Sequence, residues 1–363
     1  DFYENTYGYC ITNKSVKREH RIPQVLYLED DVVVSVLRRE KSPWTLKVED
    51  NDLNLYYWEK YERTLSLPDP LPFFGKSLSN GSMSDDVISV NGAVTPGFFI
   101  YSHCYYFTEG VPCGFCSLKH ARKTVGKNLV PRFSEIQVKE SIEYIQSSSW
   151  GEIPLYSNTT GTPRTDRETQ REIIDRVRWM SEAQDPKRPI HILTHPPHDF
   201  KLLDEFKEAG VTSIGLNMEV YDRMRFKEIC PGKDKFYGYD KWWDCLEYAR
   251  EVFGDFRVYC GLVWGLEPVE STMEGMVKIM KRGVGLSTNI FHADPGSVLV
   301  KKEQPSVEDI MKLSKFESDL FLQFPTFKTI YDVSMRNTLD WEIHQGFLRG
   351  DRPEEKNMES TQA

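Results

Sequence analysis

The 363-residue chain is short of positive charge, with 46 Lys and Arg against 55 Asp and Glu, a net charge of −9 and a pI near 5.5. That balance argues against a broad basic face for tracking a phosphate backbone, so nucleic acid is not an expected partner. No run of about 18 apolar residues is present, which excludes an ordinary membrane-spanning helix. The opening stretch DFYENTYGYC lacks the charged-then-apolar layout of a secretion signal. A soluble, cytoplasmic protein is therefore expected; the chain opens on Asp1 rather than Met, so an earlier start or a removed leader stays open. No internal repeat or long low-complexity segment is visible. Cysteines number seven, an odd count spaced unlike the disulfide framework of a small secreted domain, which points to a reducing compartment and thiolate ligands. Most telling is what accompanies Cys104, Cys113 and Cys116: three cysteines lie within thirteen residues and no fourth lies nearby. A metal bound there keeps an open position.

What is present reads as one large α/β unit with appendages. Residues 1–95 form an N-terminal extension, rich in aromatics and turn residues, with β-prone runs QVLYL, DVVVSVL and NLYYWEKY. From residue 96 to 300 short apolar runs alternate with helical patterns. TPGFFIYSH, EIPLYSN, PIHILTH, VTSIGLNME, FRVYCGLVWG and LSTNIFHA read as buried parallel strands. Ile173, Ile174, Val177 and Met180 mark one helix, and Leu203, Phe206 and Ala209 before Gly210 mark another with its stop. Further helices are predicted over 134–147, 240–253, 269–282 and 305–322. Six strand–helix units with right-handed crossovers give either an open doubly wound sheet or a barrel, and pattern alone does not separate the two. Residues 301–348 are expected to form a closing segment and 349–363 a disordered tail. Cys10, Cys230, Cys245 and Cys260 are too scattered for one local ligand set and are expected to be ordinary thiols.

Cys104 follows directly on the first strand of the series, so the trio lies at the strand end where parallel α/β folds bind ligands. Thiolates suit zinc or an iron–sulfur cluster, and a cube held by three cysteines leaves one iron free for an outside ligand. A second reading adds His120, giving C-x8-C-x2-C-x3-H, a closed four-ligand zinc site in a binding protein without catalysis.

Cys113-Gly114-Phe115-Cys116, with an aromatic before the last cysteine, resembles the radical S-adenosylmethionine (radical SAM) superfamily, whose members carry three cysteines after the first strand. The x8 spacing between Cys104 and Cys113 marks a divergent branch with features similar to biotin synthase and lipoyl synthase. The resemblance implies a partial (β/α)6 TIM-like barrel, a [4Fe–4S] cluster on Cys104, Cys113 and Cys116, and S-adenosyl-L-methionine on the free iron, with Phe115 beside it. It continues along the chain. SNTTGTPRTD, with Gly161, stands where members meet the methionyl amino group; its plainer reading is a turn opening a helix capped by Thr165 or Asp166. Asn217 and Glu219 are similar to the Asn-x-Glu that meets ribose or the amino-acid part of the cofactor. Arg223 and Arg225 can pair with its carboxylate, or cover a solvated helix face. Gly261–Glu267, with Val263 and Gly265, resembles the adenine strand, and Asn289–Ser297, with His292, resembles the last strand's cofactor border. His195, near Thr194 at a strand end, is a candidate for the substrate pocket or for proton transfer.

The activity so implied is reductive cleavage of S-adenosylmethionine to a 5′-deoxyadenosyl radical that abstracts hydrogen from a small-molecule substrate, with flavodoxin or ferredoxin as electron donor. No second cysteine cluster and no cobalamin-domain pattern is evident. A single-cluster rearrangement, C–C bond formation or cleavage, or methylation is expected.

Overall fold

The computed structural model describes residues 25–28, 32–36, 42–50, 52–66, 71–91, 95–101, 103–120, 133–151, 153–159, 161–164, 167–324, 339–344 and 346. The expectations for Cys10, for the caps Thr165 and Asp166, and for a tail from Arg349 fall outside them.

Six parallel strands make the frame: β7 (Thr95–Tyr101), β8 (Leu155–Thr159), β9 (Ile190–Leu193), β10 (Ser213–Gly215), β11 (Val258–Trp264) and β12 (Gly285–Ile290). They coincide with the six runs read from sequence. All seven residues of β11 are buried, as are all three of β10, which is why these strands are apolar throughout rather than alternating. Their order in the sheet is strictly sequential from β7 to β12, and β6 (Ile88–Asn91) adds antiparallel to β7 at one edge. A doubly wound sheet reverses its strand order part-way; this one does not. The architecture is therefore a partial (β/α)6 barrel, open between β6 and β12.

Between strands come α1 (Tyr105–Thr108), α2 (Glu135–Gln146), α3 (Arg167–Glu182), α4 (Leu202–Glu208), α5 (Arg223–Ile229), α6 (Pro231–Phe236), α7 (Tyr239–Phe253) and α8 (Val269–Lys281). Ile173, Ile174, Val177 and Met180 are the buried stripe of α3, as their spacing predicts. Ser134 caps α2, its hydroxyl accepting from the Gln137 amide while the Gln137 side chain returns to the Ser134 amide. After β12, α9 (Val307–Gln323) and α10 (Leu339–His344) pack back on the sheet edge. There Asp340 accepts from the Thr288 amide at 2.7 Å and from its hydroxyl.

The N-terminal region holds β1 (Val25–Tyr27) paired with β2 (Val33–Ser35), and a meander of β3 (Trp44–Glu49), β4 (Asp52–Tyr57) and β5 (Lys60–Leu65). NLYYWEKY reads as one β-prone run, but the chain folds back inside it: Trp58 and Glu59 take φ of 45° and 68°, the geometry of a two-residue hairpin turn. No described helix is long and apolar enough to cross a membrane.

Candidate active site

The site grows out of the end of β7. Cys104 is the N-cap of α1, the chain turns through Gly110, and Cys113 and Cys116 follow on the returning arm. Distant segments hold this loop in shape. The Gly114 amide donates to the Ile229 carbonyl at 2.7 Å, the Leu299 amide donates to the Gly114 carbonyl at 2.9 Å, and the Ser117 hydroxyl donates to Asp294 at 3.1 Å. From the β8 side, Gly161 lies against the first cysteine. Its φ is +97°, and a Cβ there would stand 2.7 Å from Cβ of Cys104, so only glycine lets the two loops touch.

All three thiols face one cavity of about 260 Å³. Its two side walls differ in chemistry. The wall from β10 and the helices after it carries Asn217, Glu219, Lys233 and Trp242. There Lys233 Nζ donates to Glu219 Oε1 at 3.0 Å and to the Asn217 carbonyl at 2.6 Å, and it stands 4.8 Å from the Trp242 ring centroid. Burial opposes the Lys233 charge, yet Glu219, then Cys113 and Cys230, hold its ammonium well above the usual lysine range. The wall from α1, β8 and β9 carries Tyr106, Thr159, Thr162, Thr194 and His195. The Tyr106 hydroxyl is 2.6 Å from His195 Nε2, and His195 Nδ1 is 2.7 Å from the Pro196 carbonyl. A carbonyl only accepts, so Nδ1 carries the proton and Nε2 accepts from the phenol. Burial, helped by the nearby Lys233 charge, drives the His195 pKa down to about 3, so the imidazole is neutral.

The thiols themselves differ. Burial pushes Cys104 up, and burial with Cys113 alongside pushes Cys116 up further. Cys113 is held low, first by a hydrogen bond from the Cys230 thiol and then by Lys233.

Several residues picked out in the sequence converge here: Cys104, Cys113, Cys116, Phe115, Gly161, Thr194, His195, Asn217 and Glu219 all line the cavity. Others are placed elsewhere. Arg223 pairs with Asp240 and lies over the Tyr239 ring, and Arg225 pairs with Glu228 at 2.7 Å. Both arginines therefore cover an exposed helix face, the plainer of the two readings their sequence allowed. Gly265 is packed against Pro305, and His292 is 2.9 Å from Asp294. Val263 and Asn289 are register partners across β11 and β12. Glu267, in the stretch similar to an adenine strand, accepts from the amides of Tyr221 and Asp222 at 3.0 and 2.6 Å and ties two loops together. His120 lies against the Gly296 backbone rather than in the cavity lining. Sequence reasoning passed over Tyr106, Thr159, Lys233 and Trp242. Cys230, read as an unrelated thiol, touches Cys113. For Lys233 the sole local hint is a lysine set among the buried positions of α6; its partner Glu219 lies fourteen residues away.

The family model described as the radical SAM superfamily matches residues 106–279, the stretch from α1 to α8. Over that stretch the chain is similar to the radical SAM superfamily. It is 25% identical over 321 residues to the bacteriochlorophyllide c C-7(1)-hydroxylase of Chlorobaculum limnaeum, covering 83% of this chain and 78% of that one. Among solved structures it resembles methylornithine synthase, with 17% identity, a TM-score of 0.48, and coverage of 67% of this chain and 68% of that one. It also resembles a maturase of the [FeFe]-hydrogenase, with 15% identity, a TM-score of 0.47, and coverage of 67% and 50%. The protein is an enzyme, and superfamily members use a [4Fe–4S] cluster and S-adenosylmethionine.

The residues fit that pair. Among the described residues no group of three or more His, Cys, Asp or Glu side chains closes around a point as the ligands of one metal ion do. Three soft sulfurs on residues lining one cavity suit an iron–sulfur cube. If ionised they repel one another, Cys113 raising both Cys104 and Cys116, and a cationic cluster offsets that repulsion. The opposing carboxylate–ammonium pair complements a zwitterionic ligand.

Proposed function

We propose that the enzyme holds a [4Fe–4S] cluster on Cys104, Cys113 and Cys116 and acts on a C–H bond of a small molecule. The single observation that carries this reading is that all three thiols face the same cavity as Asn217, Glu219 and Lys233. When bound, the cluster and S-adenosylmethionine together supply a 5′-deoxyadenosyl radical that abstracts hydrogen from the substrate. The chain's own residues bind, aim and exclude water. Glu219 presents a carboxylate to the cofactor's ammonium or ribose hydroxyls, Asn217 braces the same strip, Phe115 and Gly161 allow close approach beside the cluster, and the Val263–Asn289 pair receives the adenine end. Arg223 and Arg225 have no part in it. His195 has both nitrogens engaged, so it acts as a neutral tie between the strand end and α1 rather than as a proton carrier.

The name of the Chlorobaculum limnaeum relative adds hydroxylation to rearrangement, C–C bond chemistry and methylation as reaction classes for the substrate. A flavodoxin or ferredoxin in the cytoplasm serves as reductant. Anaerobic purification tests the reading: a brown protein with about four iron and four sulfide per chain, producing 5′-deoxyadenosine with reductant, is expected. Stoichiometric zinc without colour would overturn it.

A further inference from the structure

The strip Leu216–Glu219, just past β10, is fastened on both sides. On the β11 side, Asn217 Oδ1 accepts from the Gly261 amide at 2.9 Å. The Glu219 amide donates to the Gly261 carbonyl and its carbonyl accepts from the Val263 amide, each at 2.8 Å. On the helix side, Trp242 Nε1 donates to the Leu216 carbonyl at 3.0 Å, and Lys233 Nζ takes the Asn217 carbonyl and Glu219 Oε1. These ties meet at a strained point. Glu219 has φ +76°, a left-handed conformation that a residue with a side chain adopts only when its surroundings impose it. The backbone bonds to β11 fix the peptide planes but leave the side chain free to turn. The ammonium of Lys233, a residue 6% exposed, is the described group that fixes one carboxylate oxygen.

We propose that Lys233 is a positioning residue for cofactor binding: it clamps one oxygen of Glu219 and the carbonyl beneath it, so that the other oxygen points at the ligand. This rests on the reading above that Glu219 meets the cofactor. The clamp also cancels charge. Ammonium and carboxylate together present little net charge to the cavity, whereas a lone carboxylate there would be buried uncompensated. Arginine is a poor substitute, since its planar fork cannot take two acceptors from the point a lysine occupies.

The test uses the full chain with its cluster reconstituted, and reads iron content, S-adenosylmethionine affinity by calorimetry, and KM and kcat for 5′-deoxyadenosine formation. For Lys233→Met the expected result is iron content equal to the unsubstituted protein, with Kd and KM for S-adenosylmethionine raised about 10- to 100-fold. The change in kcat is expected to stay within a few-fold. Glu219→Gln should show a similar loss, and the double variant Lys233→Met/Glu219→Gln should be no worse than Glu219→Gln alone, because Lys233 acts through Glu219. Unchanged affinity in Lys233→Met, or additive losses in the double variant, overturns the proposal. Should Lys233→Met fail to take up iron, the double variant, which has no unbalanced buried charge, regains it if the proposal holds; a double variant that also stays empty overturns it. An unsubstituted protein that loads iron and binds S-adenosylmethionine while Lys233→Met behaves identically sinks only the clamp. One that loads neither brings down the functional reading and the clamp with it.

Discussion

The two walls of the cavity solve opposite problems. The Asn217–Glu219–Lys233 wall keeps full charges out of water, and it does so by pairing them and crossing them with backbone bonds from β11. The Tyr106–His195 wall contains no full charge, and its hydrogen bonds run from phenol to imidazole to carbonyl. Charge is what makes the first wall rigid: a mispaired buried ion is far more costly than a mispaired hydroxyl, and one ammonium there ties two acceptors of the strip at once. The neutral wall has no full charge at stake, so altering it costs less. On the proposed reading the cofactor meets the first wall and the second is left to the substrate.

That contrast can be broken at several points, beginning at the thiol rim both walls share. Cys113→Ser or Cys116→Ser should abolish cluster assembly, lowering iron to below roughly a tenth of the unsubstituted level by metal analysis. On the charged wall, Gly261→Ala places a Cβ 2.5 Å from the Asn217 side chain. We expect about 2–4 kcal/mol of lost stability in urea and at least tenfold weaker S-adenosylmethionine binding. On the neutral wall, Tyr106→Phe leaves His195 Nε2 buried without its donor. Stability should fall by about 1–2 kcal/mol while S-adenosylmethionine affinity stays within about twofold, and an equal loss of affinity would erase the distinction between the walls.

The smallest effect lies outside both walls, where Glu317 on α9 is fully buried with neither carboxylate oxygen partnered among the described residues. Burial, and then Asp340, holds its pKa up, while burial raises Asp340 to about 7. In the folded state these groups keep protons that the unfolded chain releases near pH 4. Stability therefore falls as pH rises from about 4 through 7, and Glu317→Gln should flatten that fall and raise the melting temperature at pH 8 by several degrees.

Much of the barrel was legible in the sequence because each strand buried on both faces must be apolar along its whole length, and the buried stripe of α3 repeats at helical spacing. The winding was not legible, since a doubly wound sheet and a barrel share the same βα alternation, and only the sequential pairing from β7 to β12 separates them. Among site residues, those fixed by position on the chain were readable: the thiols after β7, Gly161 after β8, Asn217 and Glu219 after β10. Residues that reach the cavity from a helix face were not. Lys233 and Trp242 arrive on α6 and α7 through tertiary packing, and local spacing carries no trace of where those helices lie. Arg223 and Arg225 show the same limit in reverse, near Glu219 in sequence yet turned outward by α5.

The bonds that clasp Gly114 between Ile229 and Leu299 join positions more than a hundred residues apart on one side and nearly two hundred on the other. The stretch from Cys104 to Cys116 thus borrows its shape from chain that is synthesised much later. The sulfurs proposed to take iron are therefore held in place by α5 and by the segment after β12. On the proposed reading, iron uptake would report that the distant segments have docked: a chain truncated before Leu299 should express its cysteines yet stay colourless.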